Sequence, residues 1–148
     1  MFKGRYIHTL DAKGRLSVPS RFREVLAQHR EETLILTNFD NCLAGFPSDE
    51  WDLLEEKIRG LSMLQKDVRA FTRYFFSGAQ ECPVDRQGRI LIPPTLREDA
   101  GLEKDVVLVG VANRIEVWSK ARWDAFYREA QEPGNFESIA AKLTELGL

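Results

Sequence analysis

The chain repeats itself. The stretch L-D-A-K-G-R-L-S-V-P-S-R-F-R-E from Leu10 returns at an offset of 74 as V-D-R-Q-G-R-I-L-I-P-P-T-L-R-E from Val84. Asp11 falls on Asp85, Gly14 on Gly88, Arg15 on Arg89, Pro19 on Pro93, Arg23 on Arg97 and Glu24 on Glu98. The apolar positions Leu16, Val18 and Phe22 fall on Ile90, Ile92 and Leu96, and at an offset of 72 Trp51 falls on Trp123. Matches of so many chemical types mean two copies of one supersecondary unit. Neither copy is long enough to bury its apolar faces alone. Two copies can pair their sheets about a pseudo-twofold axis and share one core. The expected architecture is therefore α+β: a small pseudo-twofold β-barrel flanked by helices.

Each copy has the same local grammar. An alternating run from Tyr6 to Leu10 leads through D-A-K-G into a second alternating run from Arg15 to Val18, which reads as a β-hairpin. Gly14 and Gly88 supply the positive φ that such a turn needs, and Asp11 and Asp85 can bond the backbone two residues on. Pro19 and Pro93 end the strands. A short helix follows, with Phe22, Val25 and Leu26 facing inward. Strand pairs are then expected at Thr33–Thr37 with Cys42–Phe46, and at Val106–Val111 with Ile115–Trp118. A helix closes each copy. The first has Ser48 as N-cap and Trp51, Leu54 and Ile58 on one face; the second carries Trp123, Phe126, Tyr127 and Ala130. Trp51 and Trp123 read as core anchors. The expected division is a first repeat at 1–60, a linking helix at 61–78 with its core at Ser62–Phe76, a second repeat at 79–131, and a C-terminal helix at 132–148.

Charge is distributed unevenly. The chain carries a net charge of −2, yet residues 1–23 hold six basic groups (Lys3, Arg5, Lys13, Arg15, Arg21, Arg23) and one acid, Asp11. The remainder holds 15 basic and 22 acidic groups. A cationic segment on an acidic body is a directed patch. Cys42 and Cys82 are far apart, and His8 and His29 add no ligand spacing, so neither a metal site nor a disulfide is expected, nor any cofactor. No apolar run approaches the ~18 residues of a membrane span, and no signal peptide is visible. A cytoplasmic protein is the expectation.

The segment D-R-Q-G-R-I-L-I-P-P-T-L-R-E-D-A-G-L resembles the swapped-hairpin AbrB-like DNA-binding domain, with its D-x-x-G-R turn followed by I-P-x-x-L-R. The opening M-F-K-G-R-Y-I-H-T-L-D-A-K-G-R-L-S-V-P looks like the MraZ family, which carries two such domains in one chain. Both D-x-x-x-R motifs, Asp11–Arg15 and Asp85–Arg89, match the pattern intact. The resemblance implies a transcriptional regulator of the division and cell-wall gene cluster. It would act on tandem promoter repeats as a ring-shaped homo-oligomer and associate with the nucleoid.

Lys and Arg contacts to phosphates supply most DNA affinity, and base edges supply specificity. A two-stranded ribbon fits the major groove, where arginine can grip guanine O6 and N7. The expected DNA-binding residues are Lys3, Arg5, Lys13 and Arg15 in the first copy, and Arg86 and Arg89 in the second. Asp11, Gly14, Asp85 and Gly88 are expected to build the turns, with the aspartates capping the turn or holding the arginines. Arg21, Arg23 and Arg97 are expected to be solvated or paired with neighbouring Glu. The Lys66, Arg69 and Arg73 stripe reads as a solvated helix face.

Two other classes compete. Paired aspartates could do acid–base chemistry, but no nucleophile–base pair, metal cluster or phosphate loop accompanies them, and no small-molecule substrate is expected. A deep pocket lined by both aspartates would mark an enzyme; a projecting basic ribbon would not. An oligomeric scaffold or antitoxin-like interaction module is the remaining alternative, since fold alone does not settle function. Such a module has no need for a cationic first segment.

Overall fold

The computed structural model describes residues 1–147. The first repeat comprises β1 (Phe2–Thr9), β2 (Arg15–Ser17), α1 (Ser20–Leu26), β3 (Thr33–Phe39), β4 (Cys42–Pro47) and α2 (Ser48–Arg59). After α3 (Lys66–Ser77) the same series returns as β5 (Gln80–Pro83), β6 (Arg89–Leu91), α4 (Pro94–Asp99), β7 (Asp105–Ala112), β8 (Arg114–Ser119) and α5 (Lys120–Ala130). Helix α6 (Glu137–Glu145) follows.

Six strands form an antiparallel sheet in the order β1-β7-β8-β4-β3-β5, and β2 pairs with β6 in a separate ribbon. Exchanging the repeats leaves both orders unchanged. The pseudo-twofold axis therefore runs between β4 and β8 and between β2 and β6. The fold is α+β as expected, but hydrogen bonds do not close a barrel: β1 and β5 are the two edges of the sheet.

The structure overturns the local hairpin of Tyr6–Leu10 with Arg15–Val18 and shows the exchanged strands that the swapped-hairpin resemblance implied. β1 does not pair with β2; it pairs along its length with β7 of the other repeat, from Phe2 opposite Ala112 to Thr9 opposite Asp105. β2 pairs with β6, Leu16 lying opposite Ile90. Paired locally, the three-residue β2 would have only β1 beside it and no second strand to complete its apolar face. The exchange instead slides Leu16, Val18, Ile90 and Ile92, all 2% exposed or less, beneath the six-stranded sheet. There they meet Leu34, Leu43, Leu108 and Val117 from its inner face. Each such side chain contributes about 1.5–3 kcal/mol on full burial.

Alternation divides β1 between two environments. Phe2 and Tyr6 face the ribbon and pack edge-on against Phe22 of α1. Arg5 and Ile7 face the other way, opposite Val109 and Val107. Helices lie on that outer face, more fully over the first repeat than over the second. On the first repeat, α2 and α3 bury Phe46, Ile58 and Phe75, and Trp51 stacks on Phe75 at 5.3 Å. On the second repeat, α5 supplies Trp123, packed against Trp118 at 5.5 Å. Helix α6 buries no residue, so among the described residues the second repeat has no counterpart of the cover that α3 gives the first.

Ser48 is not the N-cap of α2. Pro47 holds that position, Ser48 is the first helical residue, and its hydroxyl donates to Glu31 at 3.2 Å. A preceding proline already sets the extended φ that a cap residue needs. The hairpin between β3 and β4 turns on Asp40 and Asn41, both at positive φ, a conformation these two residue types tolerate.

Candidate nucleic-acid interface

Two turns flank the ribbon, and each is built the same way. Asp11 Oδ1 accepts from the backbone N–H of Lys13 at 3.0 Å and of Arg15 at 2.8 Å, while Oδ2 accepts from Arg15 Nε at 2.7 Å. Asp85 Oδ1 accepts from Gln87 and Arg89 at 2.8 and 2.9 Å, and Oδ2 from Arg89 Nε at 3.2 Å. These bonds to the carboxylate form hold Asp11 well below the usual range, at about 2, with the Arg15 N–H the main cause. Asp85 is lowered in the same way, chiefly by the Arg89 N–H. Gly14 and Gly88 have φ of +86° and +76°, where a side chain would be strained.

Each turn is completed by the opposite repeat. Gly14 O accepts from Ile92 N, and Gly88 O from Val18 N, both at 2.9 Å. The Arg97 guanidinium lies over Gly14 and that of Arg23 over Gly88. Arg23 Nε donates to Val18 O at 3.2 Å, whereas Arg97 Nε is buried with no hydrogen-bond partner among the described residues. Arg23 and Arg97 were expected to be solvated or paired with Glu. Nothing local in the sequence says that a helix will cross onto the other copy's turn. The invariance of Arg and Gly between the two copies was the available signal.

The ribbon has two faces. Leu16 and Ile90 point into the core, so Arg15 and Ser17 of β2 and Arg89 and Leu91 of β6 share the outer face. Arg15 lies opposite Leu91 and Arg89 opposite Ser17. The arginines are diagonal neighbours, roughly 7–8 Å apart at Cα, about two steps of ~3.4 Å along a nucleic-acid strand. Each spends its Nε on an aspartate. Among the described residues neither Nη group donates a hydrogen bond within the chain, so the two Nη ends remain for an acceptor pair outside it. Lys13 and Arg86 are exposed on the turns at opposite ends of the ribbon.

The expected residues therefore do not form one patch. Arg15, Arg89, Lys13 and Arg86 come together on and around the ribbon. Lys3 and Arg5 lie on the far side of the sheet, since they share a face with Val111 and Val109. The Arg5 guanidinium sits over the Tyr127 ring of α5, 4.4 Å from its centre. Sequence proximity to Arg15 is misleading because β1 and β2 belong to different layers. The two aspartates stand at opposite ends of the ribbon. The open concavity beside Asp11 is lined by Thr9, Ala12, Pro94, Arg97 and Glu103, and not by Asp85. No helix among the described residues is long and apolar enough to cross a membrane.

An internally duplicated unit whose strands exchange across a pseudo-twofold axis, with an aspartate-braced arginine on each ribbon strand, defines a tandem swapped-hairpin protein. The chain belongs to the MraZ family: the model of that family, described as "MraZ protein, putative antitoxin-like", matches residues 1–74 and again 75–146. The chain is 51% identical over 148 residues to the transcriptional regulator MraZ of Desulfitobacterium hafniense strain Y51 and to that of Acetivibrio thermocellus, and 49% identical to that of Ligilactobacillus salivarius. Each alignment covers all of both chains.

Proposed function

We propose that the chain is a transcriptional regulator that binds double-stranded DNA by laying the β2–β6 ribbon in the major groove. The observation that carries this reading is the pairing of Arg15 and Arg89 on one exposed face, each oriented through Nε by an aspartate. A guanidinium fixed at one edge can still grip guanine O6 and N7 with its other nitrogens, and its orientation is set before the DNA arrives. Lys13 and Arg86 lie where a ribbon in the groove would bring phosphates, supplying affinity without sequence preference. Lys3 and Arg5 are assigned no base contact in this reading. Family membership supports the promoter repeats of division and cell-wall genes as the target, and the nucleoid as the place of action.

The same reading includes a ring-like homo-oligomer. Its support is the uncovered outer face of the second repeat, where Ile7, Phe126, Phe136 and Ile139 are 64, 44, 62 and 44% exposed. The occupant proposed is the α2–α3 corner of a second copy. Leu61, Met63 and Leu64 are exposed there at 47, 53 and 91%, next to Lys66, Arg69 and Arg73. Those cations complement Glu129, which lies beside Phe126 and Phe136. Unlike surfaces meeting head to tail generate rings, and linked readers suit direct repeats.

The test is gel-shift binding to a duplex with tandem short promoter repeats against a scrambled duplex, at two salt concentrations, for the native chain and Arg15→Ala. Specific, salt-sensitive binding that the variant loses supports the regulator. Binding to neither duplex overturns it in favour of a protein-interaction module, and equal affinity for both overturns the sequence-specific reading in favour of non-specific phosphate binding.

A further inference from the structure

The outer face of the ribbon has four side-chain positions, and the pseudo-twofold axis relates them in pairs. It carries Arg15 onto Arg89 and Ser17 onto Leu91. The arginines are therefore equivalent, and the positions beside them are not. Arg15 has a leucine across from it, and Arg89 a serine.

Leu91 is 57% exposed, between Ile90 and Ile92, which are buried on the opposite face at 1 and 0%. Nothing in the fold requires an apolar residue there, because Ser17 occupies the equivalent backbone position in β2. A single exposed leucine is ordinary on a protein surface. This one stands in a three-residue strand, directly opposite an oriented arginine, on the face proposed above to enter the major groove. In that groove the C5 methyl of thymine is the apolar group, and every other base edge presents donors and acceptors.

We infer that Leu91 is a specificity-determining residue that packs on the methyl group of a thymine beside the base gripped by Arg15. Ser17 makes no equivalent demand beside Arg89. The ribbon is thus a two-headed reader with unlike heads, and its preferred site is non-palindromic although the protein frame is twofold. The inference rests on the reading of the ribbon as a DNA reader.

The experiment begins by selecting duplexes from a randomised pool with the full chain. Each thymine of a selected duplex is then replaced singly by deoxyuridine, which removes the methyl and keeps the O4 acceptor. At one position per recognition unit the native chain should lose about fourfold in affinity, the equivalent of one buried methyl at ~0.8 kcal/mol. Leu91→Ser, which installs the side chain already present at the twofold-related place, should lose that methyl dependence and keep its preference for guanine. Ser17→Leu should acquire a second methyl-dependent position. If native binding is indifferent to every deoxyuridine, or the selected unit contains no thymine, or Leu91→Ser stays as methyl-dependent as the native chain, the inference falls while the regulator reading stands. If the native chain selects no sequence from the pool, both fall together.

Discussion

The guanidinium of Arg97 lies directly against Gly14 of the other repeat: a Cβ at Gly14 would come within 2.6 Å of Arg97 Cζ. Arg23 stands in the same relation to Gly88, at 2.8 Å. Each reading turn thus rests on a side chain from the copy it does not belong to. An arginine end can move aside, whereas a φ of +86° cannot be accommodated cheaply by alanine. Gly14→Ala should destabilise the chain by about 1–2 kcal/mol. Removing Arg97 as well should recover less than ~0.5 kcal/mol of that cost in a double-mutant cycle by urea denaturation. Full recovery would make the clash, and not the backbone, the cause.

Arg15→Ala and Arg89→Ala should each cost about 1–3 kcal/mol of specific DNA binding, measured by competition against a scrambled duplex. Lys13→Ala should weaken binding to both duplexes alike and reduce the salt slope by about one. Lys3→Ala and Arg5→Ala should leave specific affinity unchanged, because those side chains lie on the opposite face of the sheet. A loss with Arg5→Ala equal to that with Arg15→Ala would contradict this assignment.

Stability should depend on Asp11 at acid pH. Its folded pKa of about 2 lies below the ordinary 3.8, so the folded state binds fewer protons than the unfolded chain across that interval. The stabilisation it provides is complete above the ordinary value and is lost as pH falls through about 2. Urea midpoints recorded from pH 5 to 2 should fall more steeply for the native chain than for Asp11→Asn. Parallel curves would show that the turn does not depend on the charged carboxylate.

Trp51 and Trp123 occupy matching places in the repeat but unequal surroundings. Phe75, the α3 residue on which Trp51 stacks, is 1% exposed, and Phe75→Ala should cost about 3–5 kcal/mol. Trp123 has no such cover, and Trp123→Ala should cost about 1–2 kcal/mol in the isolated subunit. Equal losses in the unfolding midpoints would mean the second repeat is covered as fully as the first.

Phe126→Glu places a charge on the outer face of the second repeat, beside Glu129, in the subunit interface proposed above. It should reduce the oligomer mass in sedimentation without lowering the cooperativity of unfolding. An unchanged mass would move the subunit interface elsewhere on the molecule.

Several features were legible before the fold was known because they are local. An aspartate bonds the backbone two residues on, and an arginine four residues on can reach its other oxygen, whatever lies around them. The Asp11–Arg15 and Asp85–Arg89 braces follow from spacing alone. The strand pairs β3–β4 and β7–β8 were equally readable, since each is closed by a short turn. The partners of β1 and β2 were not. Alternation says that Leu16 and Val18 share a buried face; it does not say which strand lies beside them.

A duplicated unit, two aspartate-built turns and the alternation of buried residues are written in the chain's local spacing, because they depend on interactions within a few residues. The exchange of hairpins was implied only by the swapped-hairpin resemblance and not by local spacing, and it takes the tertiary structure to show that Lys3 and Arg5 leave the face of Arg15 and that Arg23 and Arg97 each support the other repeat's turn. The physical reason is the shared core. Apolar residues on two three-residue strands are buried only when the ribbon crosses under a sheet made by both copies. That crossing carries every neighbouring side chain to a position that no local spacing records.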